Sequence, residues 1–336
     1  MTVLCCPDKF RGTLTAPAAA HAMATGFAAA GRTDTVELPL ADGGEGTLDV
    51  LLAACGGEAR SVRVTGPEGR EVIAQLGLLL DGIAVVEMAR ASGLALVAGR
   101  NDPLTATTYG TGELIRLAVE SGATSVVVGV GGSATVDGGR GALDALGWQT
   151  PAIPVVVACD VTIGFLDAAR IFGPQKGAGP EEVAELSERL ARFAAELWER
   201  TGVDVRNLPG SGAAGGLAGG LAALGATLRP GFRVVADAVG LDRRLDGASF
   251  VVTGEGRLDR TSLSGKVVGE VLRVAAALEI RAGVVAGEVA DDAAVGLPGG
   301  ADVVSLVTLA GSAEEARSRA AELVSEATEL LARGLA

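Results

Sequence analysis

The chain has a single histidine, His21, and only three lysines among its 28 basic residues. Aromatic residues make up 3 % of it and there are four cysteines. Each shortage excludes something. A Ser-His-Asp triad would have to use His21, which sits in an Ala-rich stretch with the pattern of a helix face. Cys5, Cys6, Cys55 and Cys159 form no C-x-x-C pair, and most lie in apolar strand-like runs. They read as small buried thiols in a reducing compartment rather than as a redox or metal centre. A net charge of −13 with no basic stripe argues against nucleic-acid partners. No charged-then-apolar leader precedes the first strand, and no apolar run reaches ~18 residues unbroken. The expectation is a soluble, cytoplasmic protein without membrane contact. With so few aromatics, the core must be built from Ala, Val and Leu.

Glycine is plentiful, with 50 residues scattered among hydrophobic runs, as expected of many tight turns. Short Val-rich runs alternate with Ala/Leu helices, the pattern of an α/β protein with a largely parallel sheet. Val3–Cys6 reads as a buried strand and Thr15 as the cap of a helix to about Ala30. Ser61–Val64, Glu71–Leu79 and Ile83–Met88 alternate like antiparallel strands with glycine turns between them. Glu181–Glu199 has the clearest amphipathic spacing, Phe250–Thr253 reads as a late strand, and Ala313–Leu331 reads as a closing helix. One arrangement accounts for these: residues 1–60 and 245–336 form a flavodoxin-like parallel sheet, and 61–244 form a mixed α/β domain inserted into it.

What is present points to phosphate chemistry. A chain that has drifted so far toward arginine should keep lysine where a compact ammonium matters. Lys9, Lys176 and Lys266 all lie in glycine-bearing loops. Carboxylates also stand among glycines: Asp42 and Glu45 in Asp-Gly-Gly-Glu-Gly, Asp137 before Gly138-Gly139, and Glu255 and Asp259 in Gly-Glu-Gly-Arg-Leu-Asp. Glycine lets backbone N–H groups approach a phosphate, and a carboxylate there can hold Mg²⁺ or take a hydroxyl proton. There is no P-loop, since Val267 follows Lys266. Gly129-Val130-Gly131-Gly132-Ser133-Ala134 matches a loose dinucleotide fingerprint, but Gly138, Gly139 and Gly141 interrupt the helix that should open there. Backbone donors, a few cations and several carboxylates without a nucleophile elbow suggest phosphoryl transfer.

In order, these loops resemble those of the type 1 glycerate kinase family: Pro7 through Ala16, Pro39 through Thr47, Thr108 through Glu113, Gly131 through Gly139, Phe172 through Ala178, Gly212 through Leu217, and Thr253 through Asp259 followed by Gly265-Lys266. The resemblance implies ATP- and Mg²⁺-dependent phosphorylation of D-glycerate, generally to 2-phosphoglycerate, by two α/β domains with the active site between them. The alternatives are a kinase of another small hydroxy acid and a non-catalytic nucleotide- or metabolite-binding protein. On this reading the catalytic candidates are Asp42, Glu45, Asp137, Glu255 and Lys176. Substrate and phosphates fall to Asp8, Lys9, Arg11, Gly131, Gly132, Ser133, Thr135, Arg257, Asp259 and Lys266, and Mg²⁺ to Asp137 and Asp160, in a monomer or homodimer. Three places depart from the family. Arg11 stands where lysine is usual, the stretch between Trp148 and Val155 is short, and no Asn-Pro-Leu follows Cys159-Asp160-Val161.

Overall fold

A computed structural model describes residues 2–291, 293 and 297–335. It divides into two compact units. The first runs to Asp42, resumes over Asp49–Ala54 and again from Phe232 onward; the second comprises Gly43–Leu48 and Cys55–Gly231. The chain lays down β1 (Thr2–Cys5) and β2 (Thr35–Glu37) in the first unit. It then builds β3 (Gly57–Thr65), β4 (Glu71–Leu79), β5 (Ile83–Glu87), β6 (Ser125–Gly129), β7 (Val155–Ala158) and β8 (Thr227–Arg229) in the second. It ends in the first with β9 (Ala248–Leu258), β10 (Arg281–Val289) and β11 (Asp302–Ser305).

The first sheet is wholly parallel, in the order β11-β10-β9-β1-β2. Counted within the unit this is the doubly wound flavodoxin order, in which ligands meet the carboxyl ends of the strands. Thr15 caps the helix Ala16–Ala29, its Oγ1 accepting from Ala18 N at 3.3 Å. That helix lies so close to Ala320–Arg333 that a Cβ on Gly26 would fall 2.0 Å from the Ser325 carbonyl oxygen. Small residues thus do the work that aromatics do elsewhere, with Phe27 and Phe250 as an isolated ring pair 5.9 Å apart.

The second sheet has the order β3-β4-β5-β6-β7-β8. Its first three strands are antiparallel, turning at Gly66–Gly69 and Asp81–Gly82, and the rest are parallel. The amphipathic helix Pro180–Thr201 buries Leu186, Leu190, Phe193, Ala194 and Leu197 against Val136 and Phe165.

Three local features differ from the sequence expectation. β9 does not stop at Thr253 but runs on to Leu258, paired by then only with β10. The closing helix is broken at Arg319 (φ −112°, ψ 26°) into Ala313–Ser318 and Ala320–Arg333, and Arg319 pairs with Glu315 and Glu322 on either side. β8, a Thr-Leu-Arg edge strand, is too short and polar to show a period.

Candidate active site

In the first unit the carboxyl end of β1 and the overhang of β9 bring an acidic cluster together. Cys6 N donates to Val252 O at 2.7 Å and Asp8 N to Gly254 O at 2.9 Å, so the turn after β1 follows β9. Thr253 Oγ1 donates to the Cys6 carbonyl at 2.8 Å. The close approach needs glycine: a Cβ on Gly254 would stand 2.2 Å from the Val285 carbonyl oxygen. Glu255 lies on this overhang, opposite Ala286 of β10.

Burial raises Glu255 to about 7, against a hydrogen bond from Ser262 and the pull of Lys266, while Asp8 and Asp259 repel its charge further. Its Oε1 is buried with no hydrogen-bond partner. Burial also raises Asp8 to about 6, with Lys9 opposing and Asp42 adding to the rise. Asp259 goes the other way. Thr261 donates to its Oδ1 from N at 2.8 Å and Oγ1 at 2.6 Å, holding the carboxylate below its usual range. Lys266 Nζ donates to Thr261 Oγ1 at 3.0 Å, at the head of the helix Val267–Ala277. The unit therefore holds one carboxyl tuned near neutrality, a second close behind, and ammonium groups within their field. Arg11 and Arg257 are exposed.

In the second unit, the Gly43–Leu48 segment that carries Glu45 packs on the end of β6. A Cβ on Gly131 would stand 2.7 Å from Gly44 Cα, so backbone meets backbone there. Glu87, 1 % exposed, fixes the other end of the segment: its Oε1 accepts from Leu48 N at 2.8 Å and its Oε2 from Arg90 Nε at 2.5 Å. The Asp42–Gly46 loop is thus shared, Asp42 belonging to the first unit and Glu45 to the second.

Lys176 is 3 % exposed and donates from Nζ to the Thr135 carbonyl at 2.7 Å. Burial pushes its ammonium down to about 7, with Asp137 opposing. Asn101 Nδ2 bridges the carbonyls of Ala134 and Lys176, each at 2.8 Å. The Gly131–Thr135 loop is therefore fastened from beneath, and Thr135 Oγ1 is buried without a partner.

Asp137, one of the two metal candidates, is engaged by protein donors. Asp137 Oδ2 accepts from Thr108 N (2.9 Å), Thr108 Oγ1 (2.7 Å) and Gly141 N (3.2 Å), and its Oδ1 from Gly139 N (3.0 Å). Those four donors match the roughly four acceptor sites of a carboxylate. Asp160 Oδ1 accepts from Gly231 N at 2.7 Å. Among the described residues no group of three or more His, Cys, Asp or Glu is placed to hold a metal ion. Asp137 ties the Thr108 turn to the Gly139–Gly141 turn.

The thiols are not poised for chemistry. Burial raises Cys6 to about 12 and Cys159 to about 11, and none of the four cysteines forms a disulfide. His21 is exposed and meets Glu37 at 3.0 Å. No helix among the described residues is long and apolar enough to cross a membrane. The sequence placed Thr108 in a family-like loop without a role, and did not single out Asn101, Glu87, Arg90 or Ser262. Glu87 had one visible signal, a carboxylate ending an apolar strand with an arginine three residues on.

Comparison with known proteins gives this arrangement its family. The profile of the Glycerate kinase family matches residues 3–153 and 149–336. Glycerate 2-kinase of Escherichia coli K12 is 39 % identical over 374 aligned positions, covering all of this chain and 98 % of that protein. Glycerate kinase of Haemophilus influenzae is 42 % identical over 82 % of each chain. A solved structure described as glycerate kinase 2 from Salmonella typhimurium LT2 superposes with a TM-score of 0.84 at 36 % identity, covering all of this chain and 98 % of that one. The 374 aligned positions exceed the 336 residues here by 38, and the two profile matches meet at 149–153, where the chain is short. The chain belongs to the glycerate kinase family.

Proposed function

We propose that the protein transfers the γ-phosphoryl group of ATP to D-glycerate, releasing ADP and 2-phospho-D-glycerate. The observation that carries the reading is Glu255, raised to about 7 by burial with an unpartnered Oε1, in a chain of this family. A base poised near neutrality suits removal of a proton from an attacking hydroxyl, and the rest of phosphoryl transfer is positioning and charge neutralisation. Glu255 takes the proton of the substrate hydroxyl, and Asp8, with Asp42 beside it, keeps the local field negative. Lys9, Arg11 and Lys266 bind the anionic groups of substrate, and Asp259 and Arg257 order the turn leading to Lys266. In the second unit the backbone of Gly131, Gly132, Ser133 and Thr135 faces phosphate oxygens, with Lys176 beneath and Glu45 on the adjoining segment.

Mg²⁺ is taken as part of the substrate, arriving on the nucleotide's phosphates. This suits a chain without a three-ligand cage among its described residues. The enzyme works on small molecules in the cytoplasm, as a monomer or homodimer. Support for the 2-position comes from the E. coli relative, a glycerate 2-kinase by name. ³¹P NMR of the product from D-glycerate and MgATP tests activity and position together. A 3-phosphate resonance removes the position, and absence of glycerate-dependent ADP removes the reaction. A kinase of another small hydroxy acid is favoured only by the missing Asn-Pro-Leu after Val161, and a turnover panel of hydroxy acids separates the two.

A further inference from the structure

The second unit contains a cleft of about 420 Å³ between the Pro103–Tyr109 segment and the helix Pro180–Thr201. None of the proton-transfer chemistry uses it. Its volume is in the range of small-molecule sites, which pair an apolar floor with a few polar groups. The floor is Val136, Leu186, Leu190 and Phe193, none more than 4 % exposed. The Phe193 ring is braced edge-on by Trp148, with centroids 6.0 Å apart at 81°. The guanidinium of Arg140, which also lines the cleft, lies 4.2 Å from the Phe193 centroid. A planar cation held in this way is a surface on which a heterocyclic base stacks. Thr107 and Tyr109 supply hydroxyls on one wall, and Thr107 Oγ1 already accepts from Tyr109 N at 3.1 Å, so its proton is left to donate.

Three arginines and three acids line the cleft. The lining acids are occupied: Asp137 by four protein donors, Asp144 by Trp148 Nε1 at 2.8 Å, and Glu196 by Arg140 and Arg200. Arg189 is tied to Glu185 and to the Leu104 carbonyl at 2.7 Å. Arg192 is held loosely, 3.8 Å from Glu188 with both side chains more than 70 % exposed, and can turn to a phosphate. Asp137 stands two residues beyond Thr135, whose carbonyl receives Lys176 Nζ. A ligand lying from the cleft along this loop therefore passes from an apolar floor to glycine backbone.

We propose that this cleft seats the purine nucleoside of the triphosphate, with the phosphates running along the Gly131–Thr135 loop. The inference rests on the kinase reading for the ligand's identity. The test is ADP binding by calorimetry, without hydroxy acid, to wild type, Ala106→Met, which narrows the cleft, and Arg192→Glu, at an exposed position that should not disturb folding. The expected result is a rise of about tenfold or more in the ADP Kd and in the KM for ATP, with the KM for D-glycerate within about twofold. Photolabelling of the wild type with 8-azido-ATP needs no variant, and the label should map to residues 103–109 or 186–196 and be competed by ATP. Unchanged ADP affinity in the folded variants, or a competed label elsewhere, overturns the proposal. If the label maps to the cleft but D-glycerate yields no ADP, the nucleotide seat stands and the kinase reading falls.

Discussion

Replacing Glu255 with glutamine should make the protein more stable and less active at the same pH. A carboxyl whose folded pKa lies above its unfolded value binds its proton more tightly in the native state. Its folding contribution is therefore whole below the unfolded value of 4.5 and is lost as pH rises through about 7. That interval corresponds to about 3 kcal/mol at most, and to about 2 kcal/mol once the partial exposure of the side chain is discounted. The amide does not ionise, so E255Q escapes the loss. Relative to its own difference from wild type at pH 4.5, the variant should gain on the order of 2 kcal/mol by pH 8, or about 4–8 °C in Tm. Turnover should fall by ~10²-fold or more, and the rising limb of the wild-type pH–rate profile near 7 should vanish. Differential scanning calorimetry at the two pH values, with kcat across pH 5–9, tests both halves. An equal stability difference at both pH values, or near-wild-type turnover, would refute the assignment.

Lys176 gives a prediction of opposite sign. Its folded pKa is depressed from 10.5 to about 7, so the cost of burying its charge is full below 7 and fades as pH rises toward 10.5. Lys176→Met should therefore gain stability over wild type at pH 6 relative to pH 9, by about 2 kcal/mol; a pH-independent difference in urea melts would show that the ammonium is not desolvated. Glu87→Ala removes the acceptor of Leu48 N and Arg90 Nε, and should cost about 1–3 kcal/mol and lower kcat; full turnover in the folded variant would detach the Glu45 segment from catalysis. Asp137→Ala removes the acceptor of four bonds, and hydrogen–deuterium exchange should rise at Thr108, Gly139 and Gly141; unaltered protection there would contradict the tethering role.

Much of the layout was legible because it is written in local pattern. Val-rich strands, glycine turns and the heptad-like face of Pro180–Thr201 are short-range signals, and they indicated the parallel sheet and the antiparallel strands beside it. The rarity of lysine drew attention to Lys176 and Lys266, but not to their difference. Whether an ammonium is buried depends on partners such as Thr135, 41 residues away. Asn101 joins positions 33 and 75 residues distant, and nothing in its neighbourhood foreshadows that. Gly254-Glu255-Gly256 reads as a turn, yet it is extended strand, because those glycines serve close backbone approach rather than chain reversal. Asp137 stands out by residue type, but its partners do not show in the sequence. A carboxylate among glycines can face a cation or its own backbone, and the backbone partner at Thr108 lies 29 residues earlier.

The pairing of β1 with β9 sets an order of events during synthesis. β1 is an inner strand of its sheet, yet one of its neighbours begins at Ala248. While the ribosome is translating the middle of the message, the apolar Val3-Leu4-Cys5 segment has only β2 to pair with. Every residue of the second unit, by contrast, has been made once Gly231 is added. Domains tend to fold as units as they emerge, and unpaired apolar strand edges are prone to aggregate. The nascent chain thus carries a finished inner module while its amino-terminal strand waits for the last third. Truncation from the carboxyl end should therefore be far more damaging than the distance of those residues from the amino terminus suggests.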